Sequence, residues 1–293
     1  MYNYTVIIPH KNCPDLLHRA LDSIPEKDDI QVIIVDDNSD ASKVDFENFP
    51  GLSRKNTIVV FDKSGKGAGR ARNIGLSKIE NNTKWVTFLD ADDFYSKDAE
   101  AIFEKYKDNQ NDIVYFLWDS VYSETLEPSN RKRFYLKKIS QSNNDKDILK
   151  YKMYWPVGKF VSYKIVNENN IKFDEVIASN DAMFSVKVGH VSKNIEVSDQ
   201  TLYIVTESYN SLVKQVSFEI TNCRFKVAKN INNYLITIGK FKYHINLFGI
   251  AYIFRKMGFV IMMKYMIKSF FYTPIECSFK DLTECIKAMK EKL

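Results

Sequence analysis

The sequence predicts an α/β protein: a mostly parallel sheet with helices on both faces, followed by a basic helical region. Three observations lead there. Apolar, β-branched runs recur at residues 6–8, 30–35, 57–61, 85–89 and 112–118. They are continuous rather than alternating, the mark of strands buried on both faces. Segments with helical spacing separate the early runs, so strand and helix alternate as parallel crossovers require. Beyond residue 210 the strand pattern stops. Helical periodicity, aromatic residues and lysines take over.

Taken in order, Val6-Ile7-Ile8-Pro9 reads as a first strand stopped by proline. Leu16, Leu17, Ala20, Leu21 and Ile24 lie on one face of a helix. Residues 30–35 and 57–61 are the second and third strands. Lys63-Ser-Gly-Lys-Gly-Ala-Gly69 is a glycine-rich loop, and residues 70–79 continue as a helix. Residues 85–89 form a fourth strand. Ser96, with Asp98 and Glu100 behind it, has the composition of an N-cap and an acidic first turn. Residues 112–118 make a fifth strand. From about 120 the pattern loosens. Residues 122–135 read as two short strands around Glu127-Pro-Ser-Asn130, and 139–147 as a polar loop. Short strands follow at 159–163 and 195–205, with helices at 165–168 and 180–188.

The 293 residues suffice for one large α/β domain with an appendage, or for two modest domains. Hydrophobic content of 45% and charged content of 27% are those of a folded, soluble chain. Four cysteines (Cys13, Cys223, Cys277, Cys285) lack Cys-x-x-Cys spacing and read as free thiols of a reducing compartment. The first residues lack the basic and apolar segments of a secretory signal. The net charge of +5 is uneven. Residues 1–209 hold 28 Lys+Arg and 32 Asp+Glu, and residues 210–293 hold 14 and 5, a net +9. The stretch 245–271 is strongly apolar but broken by Arg255, Lys256, Lys264 and Lys268. Those charges disfavour a spanning helix. The stretch reads as a basic amphipathic helix on an anionic membrane, or as a helical cap or homodimer interface. A nucleic-acid partner is not expected, because aliphatic residues interleave the basic ones.

The chemistry concentrates where strands end. Asp36-Asp37 closes the second strand, and Asp90-Ala91-Asp92-Asp93 closes the fourth. In an open α/β sheet both ends belong to one edge, where such folds bind ligands. Carboxylates this close repel unless a cation sits among them, and hard oxygen ligands suit Mg²⁺ or Mn²⁺ with a diphosphate. The glycine-rich loop is not a P-loop, since Gly-x-x-x-x-Gly-Lys-Ser/Thr is absent, nor a Gly-x-Gly-x-x-Gly dinucleotide loop. His10, His18, His190 and His244 show no metal-ligand spacing.

Four segments occur in a recognisable order: Val6-Ile-Ile-Pro9, Val35-Asp36-Asp37-Asn38-Ser39, Gly69-Arg-Ala-Arg-Asn73-Ile-Gly75 and Phe88-Leu-Asp-Ala-Asp-Asp93. Together they resemble the nucleotide-binding half of family 2 glycosyltransferases, which have the GT-A fold. Trp155-Pro-Val-Gly-Lys159-Phe and Asn169-Asn-Ile-Lys-Phe-Asp174 resemble members that build bacterial surface glycans. The resemblance spans roughly residues 4–205. It implies a catalytic domain over 1–209, with a nucleotide-sugar half at 1–120 and an acceptor half at 121–209, and leaves 210–293 as the basic helical region.

The resemblance also implies roles. Asp37 would accept the uracil N3–H, with Pro9, His10 and Asn12 beside the base. Lys66 and Arg72 would face phosphate, as guanidinium groups and helix starts do. Asp90-Ala91-Asp92 matches the family's Asp-x-Asp motif. Asp92 would bind the divalent metal, Mn²⁺ or Mg²⁺, and Asp90 the ribose or a metal-bound water. Asp93 is either a third ligand or a turn cap. The inverting base is implied at Asp181 of Ser179-Asn180-Asp181-Ala-Met-Phe184, where Asn180 stands in place of the family's usual Glu. Asp174-Glu175 is the competing position. The processive Gln-x-x-Arg-Trp motif is absent.

The expectation is thus a metal-dependent, inverting hexosyl- or N-acetylhexosaminyltransferase. It would use a UDP-sugar and a glycan acceptor, expected to be lipid-linked, in surface polysaccharide or lipooligosaccharide synthesis on the cytoplasmic face of a bacterial membrane. Two rivals remain. A sugar-1-phosphate nucleotidyltransferase needs a glycine-rich basic signature after strand one, which Pro9-His-Lys-Asn-Cys-Pro14 does not supply. A non-catalytic nucleotide-sugar or membrane-binding module keeps the donor site without the base.

Overall fold

The structure is a computed structural model and describes residues 2–208 and 216–290. The expected boundary between 209 and 210 lies outside the described residues. The chain divides into two compact units, Met1–Glu175 with Met183–Ser211, and Val176–Ala182 with Leu212–Leu293.

The first unit is built on one eight-stranded sheet. Its strands are β1 (Tyr4–His10), β2 (Ile30–Asp37), β3 (Thr57–Asp62), β4 (Trp85–Phe88), β5 (Phe94–Tyr95), β6 (Ile113–Tyr122), β7 (Lys159–Ser162) and β8 (Ile195–Glu207). The order is β3-β2-β1-β4-β7-β6-β8-β5. β3, β2, β1 and β4 run parallel, as do β6 and β8. β7 is antiparallel to both β4 and β6, and β5 to β8. The predicted class, an α/β fold with a mostly parallel sheet and a helical C-terminal region, is the one found.

Local sequence explains the first half. Every residue of β2 is buried, as a continuous apolar run demands. Its one polar residue before the aspartates, Gln31, accepts a hydrogen bond from Thr5 Oγ1 at 2.9 Å. β1 continues one residue past Pro9, which pairs with Val35. Pairing to β4 has already ended at Ile7–Phe88, so the missing proline N–H interrupts no ladder there. Helix α1 (Pro14–Asp22) starts with proline in its first turn and buries Leu17, Ala20 and Leu21. Helix α2 (Ala68–Ser77) buries Gly69, Ala71 and Gly75. Those small residues let it lie close on β1: a Cβ at Gly75 would meet Ile7 Cγ2 at 2.5 Å.

The second half departs from expectation in four places. Helix α3 (Ala99–Tyr106) begins after Ser96, whose hydroxyl donates to Thr201 O instead of capping the helix. The two short strands expected over 122–135 reduce to one bridge, Val121 to Pro128. Of the polar loop expected at 139–147, residues 139–142 belong to the end of helix α4 (Arg133–Ser142), 143–146 do form a connection, and α5 (Asp147–Tyr151) takes the last residue. Buried Tyr135 anchors α4: its ring stacks on Trp118 at 3.8 Å and its hydroxyl donates to Phe116 O. One aromatic anchor outweighs a polar face. Helices α6 (Tyr163–Glu168) and α7 (Ala182–Val191) complete this part, and α7 opens two residues later than its sequence pattern suggests.

In the second unit, α8 (Phe218–Thr237), α9 (Leu247–Ile253), α10 (Phe259–Tyr272) and α11 (Ile275–Lys290) follow one another. Ser217 and Asn246 cap α8 and α9 through their side-chain oxygens. Buried Asn232 is satisfied in both directions by the Ile245 backbone. The apolar stretch 245–271 is not one helix. A 3₁₀ turn at Phe254–Met257 and Gly258, at φ +123°, split it. The core of this unit takes Leu247, Phe248, Ala251 and Phe254 from its first half.

Candidate functional site

Four parallel strands deliver the site. After β1 the chain moves outward to β2 and β3, then returns to β4 on the other side. That reversal opens a crevice at the carboxyl ends of β1 and its neighbours, the place where ligands enter such sheets. His10, Asp36-Asp37, Asp62 and the loop after Phe88 all lie on that edge.

Asp37 ends β2 and is almost fully buried. It accepts from the backbone N–H of Gly67 at 2.9 Å and from Lys11 Nζ at 3.2 Å. The carboxylate thereby ties the glycine-rich loop to the sheet. Gly67 itself sits at φ +88°, in the left-handed region. Asp36 does different work. It bonds His10 Nδ1 at 2.8 Å and accepts from Ser39 N and Ser39 Oγ. His10 Nε2 accepts from Cys13 N–H at 3.2 Å. An accepting Nε2 carries no proton, so His10 is the neutral tautomer protonated at Nδ1. Burial lowers its pKa below the ordinary value of 6.5, against the opposing pull of Asp36. The His10 ring therefore sets the loop geometry, with both nitrogens engaged. Asn12, at φ +57°, donates its N–H to Ser39 Oγ and accepts from Asp40 N.

Of the basic residues, Lys66 is exposed in the loop. Arg70 binds Asp62 at 2.9 Å and approaches Glu175 at 3.7 Å. Arg72 is buried and donates to Asp90 Oδ1 at 2.6 Å, with its guanidinium 5.4 Å from the Phe173 ring centre. Asn73 accepts from Phe173 N and donates to Phe173 O, tying α2 to the 173–175 segment.

Carboxylate oxygens of Asp90, Asp92 and Asp93 lie within 4.8 Å of one another. Asp93 is buried and accepts from Tyr203 Oη and from Thr206 N, both at 2.6 Å. Burial first, then its two acidic neighbours, raise its pKa well above the ordinary carboxylate value. Its oxygens are committed to β8, so it closes the floor of the cluster. Asp92 is open to solvent. Desolvation in the cleft and then the Asp90 carboxylate push its pKa up. Asp92 and Asp90 thus remain for a ligand. Two carboxylates are hard oxygen donors of the kind that Mg²⁺ or Mn²⁺ takes, so the residues fit such a cation. Ala91 is buried between them.

Two arginines that the sequence patterns did not single out support this cluster. Arg19 of α1 donates to Asp92 O at 2.6 Å and to Ser123 O at 3.3 Å, and lies over the Phe94 ring. Arg131 donates to Thr206 O at 2.5 Å, while Thr206 Oγ1 donates to Asp92 O at 2.9 Å. Neither residue lies in a local motif. Each is brought in from a distant element, and only the fold reveals it.

Asp181 lies in the turn that opens α7, where Ala182 N–H bonds Ser179 O and Ser179 has φ +56°. It belongs to the segment Val176–Ala182 of the second unit. The competing pair differs in surroundings. Asp174 is half-buried and burial raises its pKa. Glu175 is occupied by Asn73 and Arg70.

Comparison with known proteins accords with this geometry. The family model "Glycosyl transferase family 2" matches residues 5–169, more than half the chain. A poly(ribitol-phosphate) beta-glucosyltransferase of Bacillus spizizenii is 28% identical over 66% of this chain and 30% of its own length. The minor teichoic acid biosynthesis protein GgaA of Bacillus subtilis is 30% identical over 37% of this chain and 26% of its own. The chain thus spans under a third of the length of these relatives. Among solved structures, S. aureus TarS 1-349 in complex with UDP-GlcNAc superposes with a TM-score of 0.67 at 18% identity, covering 94% of this chain and 82% of that one. The strand-end carboxylates, the crevice they line and the matched segment agree, and the chain belongs to glycosyl transferase family 2.

Proposed function

We propose that this protein transfers a sugar from a UDP-sugar to a glycan acceptor during assembly of teichoic acid or another bacterial surface polysaccharide, with inversion at the anomeric carbon. The observation that carries the reading is the acidic cluster of Asp90, Asp92 and Asp93 on the same sheet edge as Asp37. Relatives named for teichoic acid glycosylation and synthesis, and a similar fold that holds UDP-GlcNAc, support the substrate class.

In this reading Asp37 accepts the uracil N3–H in exchange for one of its loop contacts. Pro9, Asn12 and the backbone at His10 border the base. Lys66 reaches the diphosphate. Arg72 holds Asp90 in place, and Asp92 with Asp90 would hold a divalent cation. Such a cation would offset the charge that develops on the departing diphosphate. Asp181 removes the proton from the acceptor hydroxyl as that oxygen attacks the anomeric carbon. The transferred group is a hexosyl or N-acetylhexosaminyl unit. A lipid-linked acceptor would place the enzyme at the inner face of the plasma membrane.

The test is a panel of UDP-sugars with Mn²⁺, read as UDP release and as transfer to a glycan primer. One donor is expected to turn over. Asp181→Asn is expected to lose roughly 10²–10⁴-fold of that rate while still binding UDP. Binding of UDP without turnover of any donor would instead favour a non-catalytic nucleotide-sugar module. Unimpaired transfer by Asp181→Asn would move the base to Asp174 or Glu175.

A further inference from the structure

Helix α10 has apolar side chains on two faces. The inner face packs Tyr265, Met266 and Ser269 into the second unit, where the Tyr265 and Phe254 rings stack at 3.8 Å. The outer face presents Val260, Met263, Ile267 and Phe271, all exposed. At 3.6 residues per turn these four fall within an arc of about 80°, so they form one stripe along the helix. Val260 is 80% exposed and Phe271 79%, and Phe259 at the helix start is 70% exposed. A surface helix ordinarily turns its polar face outward, and a contiguous apolar stripe marks an interaction site.

Charge decides the partner. Lys264 and Lys268 follow the stripe along one edge, at i+4 and i+8 from Val260. Exposed Arg255 and Lys256 stand in the 3₁₀ turn before it. Between residues 220 and 275 the chain has nine Lys or Arg and no Asp or Glu. A second copy laid face to face on the stripe would bring these cations together with no carboxylate of that stretch to offset them. Anionic headgroups neutralise them, and acyl chains accept the stripe. The 14 residues of α10 reach about 21 Å, short of the hydrocarbon core. Among the described residues no helix is long and apolar enough to cross a membrane.

We propose that α10 is a lipid-docking helix that lies flat in the boundary of an anionic bilayer. Its stripe Val260–Met263–Ile267–Phe271 enters the acyl edge, and Lys264 and Lys268 sit among the headgroups. The inference rests on none of the residues of the sugar-transfer site and stands without it.

The experiment is vesicle flotation of the full chain without donor or acceptor, so its outcome is independent of any transferase activity. Phosphatidylcholine vesicles are compared with vesicles carrying about 30% phosphatidylglycerol, in low and high salt. Binding is expected with the anionic vesicles, weakening with salt. Lys264→Glu is expected to reduce partitioning about five-fold or more, since each surface cation contributes roughly that factor. Ile267→Glu with Phe271→Glu is expected to reduce it at least about ten-fold. Both changes fall on exposed positions, and an unchanged circular dichroism melt confirms folding. Absence of flotation at any composition overturns the proposal. So does equal binding by the wild-type and stripe variants, or by neutral and anionic vesicles. A dimer in solution that Phe271→Glu dissociates, with no vesicle binding, assigns the stripe to a second copy.

Discussion

Arg72 Nη2 lies 2.6 Å from Asp90 Oδ1, joining the helix after the glycine-rich loop to the acidic cluster after β4. The two residues come from separate motifs, and each explains the other. A buried guanidinium faces Asp90 and offsets the charge of the carboxylates gathered there. Arg72 can be buried because Asp90 neutralises it.

Arg72→Met should leave three carboxylates without this cation. Removing one partner of a fully buried pair costs about 3–5 kcal/mol, and Asp90 is partly exposed, so a loss of about 2 kcal/mol is expected in the metal-free protein. Arg72→Lys should recover part of it, since lysine keeps the charge but not the planar fork. Urea midpoints at neutral pH measure both.

Asp92 and Asp93 should separate by role. Titration calorimetry with UDP is expected to show tight binding with Mn²⁺ and weak binding with EDTA. Asp92→Asn should erase that difference. Asp93→Asn should preserve it, because Asp93 is committed to Tyr203 and Thr206. Equal UDP affinity with and without metal in the wild type would remove Asp92 from the metal role.

His10 makes a pH prediction with a definite sign. Its folded pKa is lowered from 6.5, mainly by burial. Between the folded and unfolded values the unfolded chain binds more protons, so stability rises with pH through that window. The contribution is fully present above pH 6.5 and is lost as pH falls through the folded value. Protonation at Nε2 would also expel the Cys13 N–H. The urea midpoint of wild type should therefore fall more steeply than that of His10→Gln on going from neutral pH toward pH 5.

Gly158 tests the second half of the fold. It sits at φ +65°, and an added Cβ would lie 1.9 Å from Trp118 Nε1. Gly158→Ala must displace Trp118 from its stack on Tyr135. A loss of about 2–4 kcal/mol is expected from overpacking together with left-handed strain. A lower melting temperature and a red-shifted tryptophan emission would register it.

The strands around the site were legible because burial on both faces leaves a continuous apolar run. Strands β1 to β4 lie within a residue or two of those runs. The acidic ends were legible for a related reason: carboxylates directly after a buried strand have few positions other than the sheet edge. Elsewhere the local signal was too weak or pointed the wrong way. β5 is two residues long and exists by pairing with β8. α4 looks polar in sequence and is held by Tyr135 on Trp118. The stretch 245–271 had the composition of one amphipathic helix, but Gly258 breaks it and the two parts have different fates. The first part is core, while the second gives Tyr265 and Met266 to that core and carries the outward stripe on its other face.

By itself the sequence determined the α/β class, the strand ends that carry Asp37 and Asp90 to Asp93, and the charge contrast beyond residue 210. Each of these follows from short-range pattern: burial period, strand-end chemistry and charge count. Tertiary structure alone decided that Asp36 and His10 support the loop, that Asp93 belongs to Tyr203 and Thr206, that Arg72 serves Asp90, and that Arg19 reaches Asp92. Those pairings join residues up to 113 positions apart. A hydrogen bond depends on two groups meeting within about 3 Å, and separation along the chain does not encode that meeting.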